Sequence, residues 1–161
     1  MANTTISNLT AGTTLTGTEI VPIVQSSATV RTTAAAIVTL ASNAPTLLNP
    51  TIKNYVESVV VIGTVTTTNT LALTNGTVQT ATLTASTACT FTMPTATAGK
   101  SFVLLLKQAA TTGNGTATFT GVKWPTAGAP TITATAGAMD IVSFVADGTN
   151  WYGSIAQGYT P

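Results

Sequence analysis

Threonine makes up about a quarter of this chain, and from residue 55 onward it alternates with valine, alanine, leucine and phenylalanine in short runs. β-Branched side chains lose rotamer freedom in helices and suit a pleated, half-buried surface. The candidate strands are Tyr55–Gly63, Asn69–Thr74, Thr77–Thr84, Ala88–Met93, Ser101–Gln108, Thr116–Thr120, Thr131–Thr135, Ala138–Ala146 and Asn150–Gln157. Between them stand Asn75-Gly76, Pro94, Gly113-Asn114-Gly115, Pro130 and Asp147-Gly148, all turn signals. Cys89, Phe91 and Met93 alternate with polar residues, as do Ala117 and Phe119. The run Phe102 to Leu106 is apolar on both faces and predicts a central strand. Eight or nine short strands at this spacing predict an all-β domain over residues 55–161, of sandwich or jelly-roll type. The lack of strong helical patterns excludes an α/β parallel sheet.

Residues 1–42 read as a small arm. Glu19–Gln25 is a short strand whose Pro22 cannot donate to a ladder, which places it at an edge. Ser26-Ser27 turns the chain into a second strand, Ala28–Thr32. A short helix over residues 33–42 follows, capped by Thr32 or Thr33, rich in alanine and ended by Asn43 and Pro45. A hairpin and one helix bury little area, so this arm is expected to complete its core on a partner. Residues 43–54 form a linker held extended by Pro45 and Pro50. Its Leu47, Leu48 and Ile52 are apolar and predict contact with another chain.

Charge narrows the functions. Only 6% of residues are charged, where an ordinary domain has roughly a quarter. The cations are Arg31, Lys53, Lys100, Lys107 and Lys123; the carboxylates are Glu19, Glu57, Asp140 and Asp147. There is no histidine, so a Ser-His-Asp triad, a Cys-His pair and a His metal ligand are all excluded. One cysteine, Cys89, forms no intrachain disulfide and reads as a small core residue. Four dispersed carboxylates make a poor metal cage. Five cations at net charge +1 neutralise few phosphates, so no nucleic-acid partner is expected. No run reaches the ~18 apolar residues of a membrane span. The first residues lack the regions of a signal peptide, which predicts synthesis in a cytoplasm. A carboxylate pair such as Asp140 with Asp147 is the one hydrolytic arrangement left on paper. The expectation is no enzyme activity and no cofactor. Near-zero net charge favours association, and Thr-rich strands with few charges have little to hold their edges apart.

Three motifs invite functional readings. Pro94-Thr-Ala-Thr-Ala-Gly99-Lys100-Ser101 is close to a phosphate-binding loop, but Pro94 replaces its first glycine and a strand follows where a helix is needed. A turn between strands is the plainer reading. Asn3, Asn8, Asn75 and Asn114 begin glycosylation sequons that a threonine-rich chain produces by chance. Trp124, Trp151 and Tyr152 are candidates to stack on a sugar. Trp151 and Tyr152 are neighbours in one strand and face opposite sides of it, so one is expected in the core.

Two sets of segments resemble a known class. Ile6 to Leu9, Leu15 to Gln25 and Thr32 to Ile37 resemble a module near the N-terminus of tailed-bacteriophage virion proteins. Leu73 to Thr77, Phe91 to Pro94, Gly99 to Phe102, Lys123 to Pro125 and Asp147 to Gly153 resemble a β-sandwich domain of the same class. That class includes capsid decoration proteins, head fibres and tail-fibre tips. The resemblance implies a homotrimer located in the virion, with an N-terminal region anchored on the particle and an outward-facing C-terminal domain. A long fibre would carry heptads or shaft repeats, and this chain has neither. A capsid decoration protein is therefore expected, with the major capsid protein as partner. Ile6, Leu9, Leu15, Ile20, Val21 and Ile23 would be buried there at ~25 cal/mol per Å² of apolar area. Leu47, Leu48 and Ile52 join them as contact candidates. A fibre tip that binds host surface glycan through Trp124, Trp151 or Tyr152 is the alternative.

Overall fold

A computed structural model describes Thr18, Ile20–Gln25, Ala28–Thr33, Ala35 and residues 51–161. The chain divides into two compact units, Met1–Lys53 and Asn54–Pro161. In the first, β1 (Ile20–Gln25) pairs antiparallel with β2 (Ala28–Thr33), from Ile20 opposite Thr33 to Gln25 opposite Ala28. Pro22 lies opposite Arg31. Ala35 is helical, and the rest of the helix expected over residues 33–42 lies outside the described residues.

The second unit is mainly β. Its strands are β3 (Val59–Val65), β4 (Thr68–Thr70), β5 (Val78–Leu83), β6 (Ala88–Thr92), β7 (Ser101–Lys107), β8 (Thr116–Thr120), β9 (Val122–Lys123), β10 (Met139–Ala146) and β11 (Trp151–Tyr159). The chain winds. β3, β5 and β7 lie side by side and parallel in one sheet, while β4, β6 and β8 lie parallel in another. Each strand of the first sheet is thus followed by one of the second, a solenoid-like arrangement of three coils rather than a clear sandwich of hairpins. Parallel neighbours need a crossover of a dozen or more residues, usually a helix. Here residues 66–77 and 84–100 make the crossovers, and each carries a strand of the opposite sheet. The last strands extend the first sheet to the order β3-β5-β7-β10-β11-β9. β10 and β11 form the hairpin signalled by Asp147-Gly148, with Ala146 opposite Trp151.

The two sheets enclose one core. Phe91 on β6 and Phe119 on β8 stack at 5.2 Å, and Phe119 meets Phe144 of the larger sheet at 5.3 Å. Phe102 lies 4.7 Å from Phe144 and 5.2 Å from Trp151. Cys89 is a buried free thiol whose pKa is pushed up by burial.

Three expected strand boundaries differ. The strand expected from Tyr55 begins at Val59, and the one expected over Asn69–Thr74 stops at Thr70. Residues 131–135 form no strand, although Ile132 is buried. Their backbone groups are engaged by side chains instead. The Thr133 N–H donates to Asp140 Oδ2 at 2.8 Å, and the Thr133 carbonyl accepts from Gln108 Nε2 at 2.7 Å. A bulge between Val61 and Gly63 reverses the facing of β3. Val61 points outward, while Val65 is buried in the core.

Candidate functional site

The outer faces of the two parallel ladders have opposite chemistry. On the three-stranded sheet, Thr68, Thr90 and Thr118 form one cross-strand row, and Thr70, Thr92 and Thr120 form another. All six are exposed. Their hydroxyls hydrate well, and their inward neighbours Asn69, Phe91 and Phe119 form the row between them.

On the six-stranded sheet, the outward positions read differently. Val59, Val78 and Val103 share one row, which continues to Ser143; Val61, Thr80, Leu105 and Ile141 share the next. Val61 is 77% exposed, Val59 54% and Val145 51%. Val78, Val103, Leu105 and Ile141 are half-buried by these neighbours. Along β3, β5, β7 and β10 the only charged outward side chain is Lys107, at the end of β7. A hollow of about 180 Å³ opens on this face, lined by Glu57, Thr77, Val78, Ser101, Phe102, Val103, Ser143 and Phe144. Small Ser101 and Ser143 leave this depression beside the larger valines. Glu57, at its rim, accepts from the Thr77 and Tyr55 hydroxyls, and those two donors hold its carboxyl below the ordinary range.

A second concavity surrounds Trp124. It is a cleft of about 490 Å³ lined by Trp124, Pro125, Ala127, Gly128, Ala129, Pro130, Thr131, Ser154 and Ile155. A neighbouring cleft of about 310 Å³ shares Trp124 and residues 129–131. Neither lining carries a charged side chain. Trp124 is half-buried and anchored at 5.9 Å from Phe119 and 6.2 Å from Phe144. Gly153 makes this seat fit, because a Cβ there would stand 2.5 Å from Cζ3 and 2.7 Å from Cη2 of Trp124.

The aromatic candidates do not form one platform. Trp151 is buried, and its Nε1 donates to the Pro94 carbonyl at 2.7 Å, so it presents no face to a ligand. Tyr152 is exposed on the other side of the strand, and its hydroxyl donates to Asp147 Oδ2 at 2.9 Å. Among the contact candidates, Ile20 and Ile52 are exposed and Val21 is half-buried. Ile23 is placed in β1, but its side chain lies outside the described residues, as do Ile6, Leu9, Leu15, Leu47 and Leu48.

Each described carboxylate is engaged by its own neighbours. Buried Asp140 accepts the N–H groups of Thr133 and Gly158. Asp147 accepts those of Asn150 and Thr149 and the Tyr152 hydroxyl, which together pull its pKa down to about 2. Glu19 lies outside the described residues. The segment resembling a phosphate loop is a turn around Ala98-Gly99 that leads directly into β7, with no helix to face a phosphate. Among the described residues, no group of three or more acidic or cysteine side chains converges as metal ligands, and no helix is long and apolar enough to cross a membrane.

Sequence reasoning named the linker and arm as contact surfaces and passed over the outer face of the six-stranded sheet. The signal was present in Phe102–Leu106, apolar on both sides. It predicts a central strand, and β7 is one, with Phe102, Leu104 and Leu106 in the core and Val103 and Leu105 half-buried on the outer face. Compared with protein-family models, with curated proteins and with solved structures, the chain finds no match.

Proposed function

We infer that this is a non-enzymatic structural protein of a tailed-phage virion, a capsid decoration protein that works by binding energy and oligomerisation. The observation that carries this reading is the sparsely charged, largely apolar outer face of β3, β5, β7 and β10. A strand face rich in valine and leucine is a liability in water and an asset in an assembly. The two facing sheets serve as a sandwich-like knob, and residues 1–42 serve as the arm that grips the particle. Several weak arms on one oligomer act together through effective concentration. The segment resemblances to phage virion proteins support the same reading.

The test is attachment to heads of the phage that encodes the chain. Full-length protein is expected to cosediment with heads, and a truncation lacking residues 1–42 is expected to stay folded and remain in the supernatant. Attachment of the truncation at the full-length level rejects the arm mechanism.

The Trp124 cleft favours a second reading, a fibre tip that recognises a neutral host glycan. Its volume lies within the ~300–1,000 Å³ of small-ligand sites, and it combines an aromatic wall with hydroxyls and backbone groups. Binding to a glycan array would support this reading, and silence across neutral bacterial glycans would reject it.

A further inference from the structure

The geometry points to the outer face of β3, β5, β7 and β10 as a self-association surface whose occupant is a second copy of this chain. This deepens the assembly reading above and rests on it for the identity of the occupant. Parallel sheets are found almost only with both faces covered. The β3-β5-β7 and β4-β6-β8 ladders are parallel, β10 joins β7 antiparallel, and the molecule treats the two outer faces differently. The β4-β6-β8 face is tiled with threonine, which water covers. The β3-β5-β7 face carries Val59, Val61, Val78, Val103 and Leu105 around Thr80 and Thr82, continued by Ile141 and Val145 on β10. Threonine fills every outward position of two rows on the other face and only part of this one, in a chain that uses it freely, so the contrast marks a face kept for protein.

Charge argues for a like partner. The face carries Lys107 at one end and Glu57 at the rim of its hollow, and nothing charged between them. Two copies meet there without repulsion, while a strongly charged partner would lose hydration and gain no counter-charge. The relief is also self-complementary in kind. Exposed Val59 and Val61 project at the free edge of the sheet, and the serine-floored hollow of about 180 Å³ receives apolar side chains of that size.

Area sets the strength. Four strands ~4.8 Å apart, with outward residues spread over about six positions of ~3.3 Å, cover roughly 400 Å² per copy. A pair then buries on the order of 800 Å², short of the ~1,200–2,000 Å² of a standard stable interface. Exposed Tyr55 and Val56, just before β3, lie outside this area and extend the apolar surface. The isolated chain is therefore a reversible oligomer that dissociates on dilution, and a particle that arrays many copies would reinforce it.

Sedimentation velocity of the full chain, from low to several hundred micromolar, tests this. Wild-type protein is expected to form a discrete oligomer that dissociates on dilution. Val61→Glu and Val145→Lys each place a charge on the face at an exposed site. Each is expected to weaken association at least about tenfold, because the charge must be desolvated in the contact. Thr90→Glu, on the threonine face, is expected to leave association unchanged, and all variants should keep the wild-type melting transition at dilutions where the wild type is monomeric. A wild-type chain that stays monomeric throughout overturns the proposal. So does association that survives both face variants, or that Thr90→Glu disrupts equally. An oligomer that needs this face in a protein absent from phage particles supports the interface and rejects only the virion reading.

Discussion

Replacing Gln108 with leucine removes the most heavily used side-chain amide of the described core while nearly keeping its volume. Gln108 is 3% exposed at the end of β7. Its Nε2 donates to the Gly115 carbonyl at 2.8 Å and to the Thr133 carbonyl at 2.7 Å, and its Oε1 accepts the Gly115 N–H at 2.9 Å. One side chain thus ties β7 to the entry of β8 and to the loop that replaces the expected strand at 131–135. Gly115 is fitted tightly here, since a Cβ would stand 2.7 Å from Leu83 Cβ and 2.9 Å from the Thr84 carbonyl oxygen. Leucine leaves three backbone groups without that partner, each costing ~1–3 kcal/mol when buried, while water reaches the half-buried Thr133 side. The sum is about 3–5 kcal/mol, a large part of the ~5–15 kcal/mol that holds a domain folded. Urea unfolding followed by the fluorescence of Trp124 and Trp151 measures it. With a slope of ~1–3 kcal/mol per molar urea, the midpoint falls by about 2 M. Gln79→Leu is the matched comparison. Gln79 is equally buried, but no protein group among the described residues donates to its Oε1, and its Nε2 donates to the Ala72 carbonyl at 2.6 Å and only distantly to the Gly76 carbonyl at 3.4 Å. It should lose about 1 kcal/mol or less, because burying an unpartnered oxygen already carries a cost. A Gln108→Leu loss below ~0.5 kcal/mol, or one equal to that of Gln79→Leu, refutes the claim that this amide holds the three segments together.

Gly153→Ala drives a methyl into the Trp124 ring and is expected to cost about 1–3 kcal/mol, with a shifted tryptophan emission as the ring leaves its seat. Phe119→Ala opens a cavity where the two sheets meet, against Phe91, Phe144 and Trp124. It should cost about 3–5 kcal/mol in the same urea assay. Asp147 has a folded pKa of about 2, below its ordinary 3.8. Its contribution is therefore fully present above pH 4 and is lost as pH falls through 2. Acid unfolding of Asp147→Asn should show a shallower dependence over that window than wild type, and identical acid profiles would contradict the assignment.

The strands of the second unit were largely legible because alternation reports which side of a strand faces a core. It does not report which strand lies beside which. A parallel neighbour is normally signalled by the helix that joins it, and here the join is a strand of the opposite sheet, so β4 and β6 read as further strands of a sandwich or jelly roll. Asp147-Gly148 was read correctly because a tight turn fixes its own two neighbours. Residues 131–135 read as a strand because Ile132 is buried as a strand residue would be, while the side chains of Asp140, seven residues on, and Gln108, 25 residues back, take the Thr133 backbone groups that a ladder would use. Trp151 and Tyr152 were separable in advance, since adjacent strand residues face opposite ways. The outer apolar face was partly visible at Phe102–Leu106. Its extension to β3 depends on the bulge at Val61 and Gly63, which no local pattern announces.

The proposed virion role has this surface covered in a phage particle. Quantitative mass spectrometry of virions purified from lysates in which this chain is made tests that proposal most directly. The account predicts the chain in the particle at a copy number comparable to that of the major capsid protein. Its absence from purified virions would contradict the account.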